Sequence, residues 1–260
     1  MTAPLLRGRP SGYSHPRCYA NADRNCSHKI SKEHFISDAL LRHLEFADKV
    51  KIAGLAWQRP QEFDLIPRRG LASRVLCTRH NSAMSHLDSA VEYLCSTIRG
   101  FDQDNLSKPA VLSGSDIERW MLKCLMGLSA SGNATGAMKA ECTSILLGTN
   151  EWPSGWGLYF NTRASPIYHT DSLRIETPVS PQNVVMAARF FIQGFPFVLC
   201  LGRPDHDGSF GVWRPSKVEI DTKTLTLDWE DAPGSRIVSL NRQGSYSGHP
   251  PDWLDWQKTG

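Results

Sequence analysis

Two short stretches of the chain hold most of its metal-binding residue types. The first runs from Cys26 to His34 and reads Cys-Ser-His-Lys-Ile-Ser-Lys-Glu-His. The second, Cys77-Thr-Arg-His80-Asn81, lies far downstream. Thiolates and imidazoles are preferred ligands of zinc. The two stretches therefore predict a metal site assembled from distant parts of the chain.

Three cysteines and one histidine form the set that best fits a structural zinc ion: Cys18, Cys26, Cys77 and His80. Closed structural sites hold zinc tetrahedrally with four such ligands. Two residues separate Cys77 from His80, a spacing that lets both side chains reach one ion from a turn into a helix. Zinc binding of this kind is worth on the order of 10–16 kcal/mol, which offsets closing the long loop after Cys26.

Two alternatives remain open for this set. In the first alternative, Cys18 and Cys26 are unrelated thiols and His80 only caps a helix. In the second, His28 replaces His80 as the fourth ligand or competes with it. The sequence alone does not decide between them.

Glu33 and His34 suggest hydrolysis of a phosphodiester bond. A neutral histidine can deprotonate water, and a divalent cation on one or two oxygen ligands can neutralise charge on the phosphate. Asn81 stands at the start of the helix that follows the second stretch, where its side chain would face Glu33 and His34. The helix N-terminus also favours phosphate. The alternative is an ordinary surface pair on a loop.

These motifs together resemble the HNH endonuclease superfamily. The resemblance rests on Cys26, Ile30-Ser-Lys-Glu-His-Phe-Ile-Ser37 and Leu76-Cys-Thr-Arg-His-Asn-Ser82, and it covers residues 17–98. The most similar subgroup has a Ser-x-Glu-His-Ile motif followed by Cys-x-x-Cys-Asn. The family implies a treble-clef, or ββα-metal, fold that cleaves DNA with a structural zinc ion beside a catalytic divalent cation, Mg²⁺ or another.

The resemblance also implies a role for each residue. His34 would be the general base, and Glu33 with Asn81 would hold the catalytic ion. The zinc positions would be filled by Cys18, Cys26, Cys77 and His80.

The chain departs from the family pattern at three places. Seven residues separate Cys18 from Cys26, so the first knuckle is stretched. His80 and Asn81 stand where the family has a cysteine and a histidine. The middle asparagine that orients the base has no counterpart, because Ser73 or Arg74 occupies that region. These departures support an alternative, a catalytically inactive zinc-stapled module that binds nucleic acid or protein. A nuclease directed at RNA is a third possibility.

The clearest predicted helix follows Cys77 and ends at Gly100. Apolar residues recur along it at three- and four-residue steps: Met84, Leu87, Val91, Leu94 and Ile98. A capping box, Ser115-Asp-Ile-Glu118, predicts the start of a second helix that runs to about Leu128. We predict further helices over 38–46 and 134–147, and strands over 29–37 and 50–57.

Beyond residue 153 short β-type runs alternate with Gly, Pro and Asp, which predicts an antiparallel sheet or a small barrel-like unit. The predicted fold class is therefore α+β. An HNH-like nuclease module would occupy residues 1–110, and a helix-plus-antiparallel-sheet accessory domain residues 111–260. We hypothesise that the accessory domain selects substrate or senses a trigger, in defence against foreign DNA.

Other residues of the accessory part have simpler interpretations. Asp205-His206-Asp207-Gly208 is typical of a turn between strands rather than a metal site. The aromatic residues are interpreted as core: Trp152, Trp156, Tyr159 and Phe160. The remaining cysteines lie in apolar patterns and are predicted to be buried thiols: Cys95, Cys124, Cys142 and Cys200.

Composition sets the cellular context that we expect. The 260 residues carry a net charge of +3. Residues 1–110 contain 16 Lys and Arg against 11 Asp and Glu, which suits an anionic partner such as DNA. Seven widely spread cysteines favour reduced thiols. With no apolar span and no secretory leader recognised, we expect a cytoplasmic protein without a membrane partner. The sequence leaves the oligomeric state open, and a homodimer is compatible with it.

Overall fold

A computed structural model describes residues 4–6, 8–60, 62–102, 110–161, 172–192, 195–202, 212–213, 217–220, 225–228 and 237–240. The fold is α+β with a mainly antiparallel sheet, as predicted. None of the described helices is long and apolar enough to span a bilayer.

The N-terminal part contains five strands and three helices. In chain order they are β1 (Ile30–His34), α1 (Asp38–Leu44), β2 (Glu45–Phe46), β3 (Lys49–Ala53), β4 (Asp64–Pro67), β5 (Ala72–Cys77), α2 (Thr78–Ala83) and α3 (Ser85–Asp102). Short 3-10 turns occupy Asn21–Asp23 and Arg68–Leu71. The helix predicted after Cys77 is thus two helices that meet at Met84.

The described residues of the second part form two helices and nine strands. They are β6 (Ala110–Ser113), α4 (Gly114–Ala130), α5 (Cys142–Leu147), β7 (Gly157–Asn161), β8 (Ser172–Glu176), β9 (Ala187–Ile192), β10 (Phe195–Cys200), β11 (Val212–Trp213), β12 (Lys217–Ile220), β13 (Leu225–Asp228) and β14 (Ile237–Leu240).

One large sheet crosses both parts of the chain. Its strand order is β11-β7-β10-β9-β8-β3-β2, with β4 also paired to β3. The β3–β8 pair is parallel, and the other pairs of this sheet are antiparallel. Short parallel pairs join β12 to β14 and β13 to β6. The sheet thus joins the segment before the second metal-binding stretch to the C-terminal part.

A separate two-stranded unit carries both metal-binding stretches. Strands β1 and β5 pair antiparallel, with Ile30 opposite Cys77 and His34 opposite Ala72. A bulge interrupts the register between Ser31 and Glu33. Because of this register, Cys77 and His34 lie at opposite ends of the strand pair. Helix α2 begins directly after β5. Elements α1 to β4 are inserted between the two strands.

The hydrophobic core is continuous across both parts. The predicted apolar face of α3 is buried from Met84 to Ile98, as expected from its spacing. Helix α4 is buried on nearly all sides between Ile117 and Leu128. An added Cβ at Gly127 would lie 3.0 Å from Cβ of Phe35, so α4 packs closely on the chain just after β1. The predicted domain division at residues 110 and 111 stays a prediction.

Two predicted helix boundaries are wrong. Ser113, not Ser115, caps α4, because its side chain accepts a hydrogen bond from the amide of Asp116. The Glu118 carboxylate accepts from the amide of Leu158 at 2.7 Å and so joins α4 to β7 instead of closing a capping box. The helix predicted over 134–147 is confined to α5, since Gly136 has φ of +90° and Ala137 forms a β-bridge with Val184.

The simpler interpretations of the accessory part hold where the structure describes them. Trp156 and Tyr159 are buried, and Trp152 packs against the core. All four remaining cysteines are buried free thiols. The Phe160 side chain and the segment from Asp205 to Gly208 lie outside the described residues.

Candidate metal centre

The four predicted zinc ligands converge on one point. Nδ1 of His80 lies 3.5 Å from Sγ of Cys18, 3.7 Å from Sγ of Cys26 and 3.1 Å from Sγ of Cys77. All four ligand atoms lie within 4.8 Å of one another, and all four residues are buried. Among the described residues this is the only group of His, Cys, Asp and Glu side chains arranged to hold an ion. We call it the Cys3His cluster.

The spacing of the Cys3His cluster fits tetrahedral zinc. With Zn–S near 2.3 Å and Zn–N near 2.0–2.1 Å, sulfur and nitrogen ligands of a tetrahedral ion stand about 3.6 Å apart. The sulfur–nitrogen distances from 3.1 to 3.7 Å bracket that value. Three thiolates and one imidazole are also a donor set that structural zinc sites use. The cluster can therefore hold a zinc ion.

Backbone hydrogen bonds bring the ligands together. The amide of Cys26 donates to the carbonyl of Tyr13, and the amide of Thr78 donates to the carbonyl of Lys29. The amide of Tyr19 donates to the carbonyl of Val75 on β5. These bonds attach the stretched loop from Cys18 to Cys26 to the end of β5. The long spacing between the first two cysteines is therefore accommodated by a loop that folds back on the strand pair.

Asp23 supports the imidazole of His80. Its Oδ2 lies 3.2 Å from Nε2 of His80, on the ring nitrogen that faces away from the thiols. Metal-bound histidines generally donate their second N–H to a carboxylate or carbonyl, which fixes the tautomer and the ring orientation. Asp23 therefore assigns Nδ1 as the ligand atom. Sequence reasoning missed it, and its only signal was a carboxylate between the first two cysteines.

Amide donors and burial act in opposite directions on the thiols. Burial would raise the pKa of Cys77, but hydrogen bonds from the amides of His80 and Ser27 outweigh it and lower that pKa to about 6. Burial raises the pKa of Cys18 and Cys26 above the usual thiol range. A bound cation would stabilise all three as thiolates, so metal binding must release protons.

His28 is not part of the Cys3His cluster. It is exposed, and its ring lies 4.1 Å from the ring of Tyr13, centroid to centroid. The alternative in which His28 replaces His80 therefore does not describe this structure.

His34 lies at the end of β1 and lines a cavity of about 600 Å³. The lining also includes Glu45, Lys49, Arg68 and Arg69. Nδ1 of His34 is 3.6 Å from Oδ1 of Asp38 at the start of α1, a distance suited to an ion pair. Nε2 is buried and has no hydrogen-bond partner among the described residues. We call this space the His34 cavity.

Arg68 connects the acidic groups beside His34. Its guanidinium donates to Asp38, and its Nε donates to Oε1 of Glu45 at 3.2 Å. Burial would raise the pKa of Asp38, but hydrogen bonds from Arg42 and Arg68 lower it below the ordinary value. Asp38 therefore remains ionised beside His34. Sequence reasoning missed this neighbour, although it stands four residues after His34.

Glu33 points to a different set of partners. Its Oε1 accepts from Nζ of Lys123 on α4 at 3.0 Å, and the same Nζ donates to Oδ2 of Asp88 at 2.6 Å. Lys123 is only 4% exposed. Burial would lower its pKa, yet the Asp88 and Glu33 carboxylates raise it. Glu33 is thus part of a buried ion-pair cluster with Asp88 and Lys123.

Asn81 lies within α2, one residue after His80. Its carbonyl accepts from the amide of Met84, where α2 ends. Among the described residues, the lining of the His34 cavity contains neither Asn81 nor Glu33. The structure thus brings together the four zinc ligands, whereas Glu33 is bound to Lys123 and Asn81 lies outside the His34 cavity.

Comparisons with protein-family models, with curated proteins and with solved structures find no match to this chain.

Proposed function

We propose that this chain is a zinc-stapled endonuclease of the HNH type, with His34 as the general base and DNA as its substrate. The observation that carries the proposal is the Cys3His cluster at one end of the β1–β5 pair, with His34 at the other end in a cavity that holds basic residues. An antiparallel strand pair followed directly by a helix is compatible with the proposed treble-clef, or ββα-metal, module. Zinc would act structurally.

His34 would accept the proton of the attacking water. The ionised Asp38 carboxylate beside Nδ1 would stabilise the imidazolium that forms. It thereby takes the role expected of the missing middle asparagine. Nε2 is buried and has no hydrogen-bond partner among the described residues, so it is the ring nitrogen left to accept that proton once water and substrate displace the groups that cover it.

Lys49 and Arg69 would bind the phosphates that flank the scissile bond. Both are exposed at the His34 cavity, and Arg68 is already bound to Asp38 and Glu45. Phosphate contacts of this kind position a nucleic acid without reading its sequence. The site therefore gives no preference for DNA over RNA.

The predicted catalytic ion does not fit Glu33 and Asn81 as they are arranged. The Glu33 carboxylate is neutralised by Lys123, and a carboxylate held by a buried ammonium is a poor ligand for a divalent cation. We therefore assign no step to an ion at these residues. The plasmid-nicking assay tests whether cleavage requires Mg²⁺ or another divalent cation.

The Glu33–Lys123 pair also favours a second function, a zinc-stapled module that binds nucleic acid or protein without cleaving it. In that case His34 would be a structural neighbour of Asp38. The role of the C-terminal part, which we propose selects substrate or senses a trigger in defence against foreign DNA, is the same under either function.

A plasmid-nicking assay separates the two functions. Wild type would be incubated with supercoiled plasmid and Mg²⁺, Mn²⁺ or Ni²⁺, beside His34→Ala and, as a matched control, His86→Ala on the exposed side of α3. We expect loss of about 10²–10⁴-fold in rate for His34→Ala only. Equal cleavage rates in wild type and His34→Ala would mean that His34 is not the general base. No cleavage by wild type with any ion would leave the binding module. Single-stranded DNA and RNA substrates test the substrate class.

A further inference from the structure

A second cavity lies beside the Cys3His cluster, and one of the predicted zinc ligands, Cys26, contributes to its lining. It measures about 430 Å³ and is lined by parts of both metal-binding stretches and by the chain around Tyr13. Ser27 and Thr78 join the two stretches here, with their hydroxyl oxygens 2.7 Å apart. The amide of Arg79 donates to the Ser27 hydroxyl at 3.2 Å. Zinc binding and formation of this cavity are therefore coupled.

The lining of this cavity suits an anion. It contains the Arg79 side chain, exposed His28 and several hydroxyl groups, and none of its lining residues is a carboxylate. The His34 cavity, by contrast, includes Glu45 and Asp48. Nη2 of Arg79 donates to the carbonyl of Arg9 at 3.1 Å, and Nε is buried without a hydrogen-bond partner among the described residues. A phosphate in the cavity would therefore bind through the terminal nitrogens of the guanidinium.

The same cavity has an aromatic wall. Tyr13 and His28 both line it, and their rings pack against each other with centroids 4.1 Å apart and planes tilted by 35°, so that only the outer faces of the pair are left for a base. Aromatic side chains beside a cationic groove are the means by which proteins bind unpaired bases, since each base has a face that stacks. A cavity of this volume accommodates a ligand of nucleotide size.

We propose that this cavity binds one nucleotide of a single-stranded segment, with the phosphate on Arg79 and the base against Tyr13 and His28. This proposal specifies how the nucleic-acid partner of the proposed function is bound. It rests on the proposed function only for the class of partner. It does not depend on catalysis by His34. A strand held here would be anchored by the zinc-stapled loop, separately from the His34 cavity.

Fluorescence anisotropy with labelled oligonucleotides at several salt concentrations tests the site in the full chain. We expect Arg79→Gln to weaken single-strand binding about ten-fold and to reduce the salt slope by about one, because one phosphate contact is lost. Arg79→Lys should retain the slope. Arg59→Gln, a cation 83% exposed and outside the cavity, is the matched control and should bind like wild type.

A second variant tests the aromatic wall. Tyr13→Leu should weaken single-strand binding about ten-fold with an unchanged salt slope, and duplex binding less, because duplex bases are already stacked. A mononucleotide should compete poorly with the strand. Bound zinc measured for each variant ensures that the Cys3His cluster is intact.

The outcomes separate this proposal from the proposed function. Wild-type affinity and slope in Arg79→Gln, or no strand binding by wild type, would each overturn the nucleotide site. Equal binding of mononucleotide and strand would overturn the single strand as its ligand. Cleavage that depends on His34 with no effect of Arg79→Gln would retain the nuclease and reject the site. Strand binding that depends on Arg79 without cleavage would retain the site and reject the nuclease.

Discussion

Cys77 is the residue on which the zinc ion should depend most directly. Its thiol lies closest to His80 and receives amide hydrogen bonds that favour the thiolate. We expect Cys77→Ser to purify without zinc and to unfold at a lower temperature, because structural zinc contributes folding free energy. Zinc content by mass spectrometry and thermal unfolding are the measurements.

Cys95→Ala provides the control for that experiment. Cys95 is equally buried but lies on α3 outside the Cys3His cluster. It should lose some stability through the cavity it leaves and yet retain one zinc per chain. A Cys77→Ser protein that keeps both its metal and its stability would show that the cluster does not bind zinc.

Asp23→Asn isolates the support that Asp23 gives to His80. The amide keeps the size of the side chain but removes the charge that holds Nε2–H of the imidazole. Loss of such a partner weakens metal affinity about 10–100-fold. Competition with a zinc chelator measures the effect, and Asp48→Asn, an exposed turn residue, is the control. Zinc retention equal to wild type would mean that Asp23 does not support the ligand.

Some of these residue-level features were accessible from the sequence and others were not. The set of predicted zinc ligands was accessible, because Cys77 and His80 have the spacing of a zinc knuckle and share one turn. The pairing of Glu33 with Lys123 was not, since ninety positions separate them and only the packing of α4 joins them. The start of a helix at Asp38 was predicted, but the approach of its carboxylate to His34 depends on the turn between β1 and α1, which periodicity does not give.

Among the elements, α4 shows how a cap is misassigned from a motif. Ser115-Asp-Ile-Glu118 has the residues of a capping box, but Glu118 is buried and bound to β7. We expect Ser113→Ala to lower the free energy of unfolding by about 0.5–2 kcal/mol, since it removes the acceptor for the Asp116 amide. Ser115→Ala should cost less. Urea unfolding of both variants measures the two losses of stability. A larger loss for Ser115→Ala than for Ser113→Ala would support the capping box as the cap of α4.

The buried ammonium of Lys123 holds α4 against β1 and α3. Lys123→Met would leave the Glu33 and Asp88 carboxylates without their cation, which costs about 3–5 kcal/mol when a buried pair loses one partner. Urea unfolding measures this loss. A triple variant that also carries Glu33→Gln and Asp88→Asn removes every charge of the cluster and should recover much of the stability. No recovery would indicate that Lys123 acts through packing alone.

At the scale of the whole molecule, the continuous hydrophobic core indicates that the two proposed domains depend on each other for folding. Trp120 of α4 is fully buried and donates to the hydroxyl of Ser37, and Gly127 packs against Phe35. A chain cut before β6 would uncover the side of α3 that packs on α4 and leave Glu33 and Asp88 without Lys123. The strand pair would keep its backbone hydrogen bonds and the Cys3His cluster but lose its contact with α4.

We therefore expect a fragment of residues 1–109 to lack a cooperative unfolding transition even with zinc bound, because the apolar surface of α4 that packs on α3 and β5 would be missing. Near-ultraviolet circular dichroism and urea unfolding, with the full chain as reference, measure this. A fragment that unfolds cooperatively with native-like aromatic signals would establish the module as a domain of its own. The accessory part would then be an addition to the proposed nuclease module rather than half of its core.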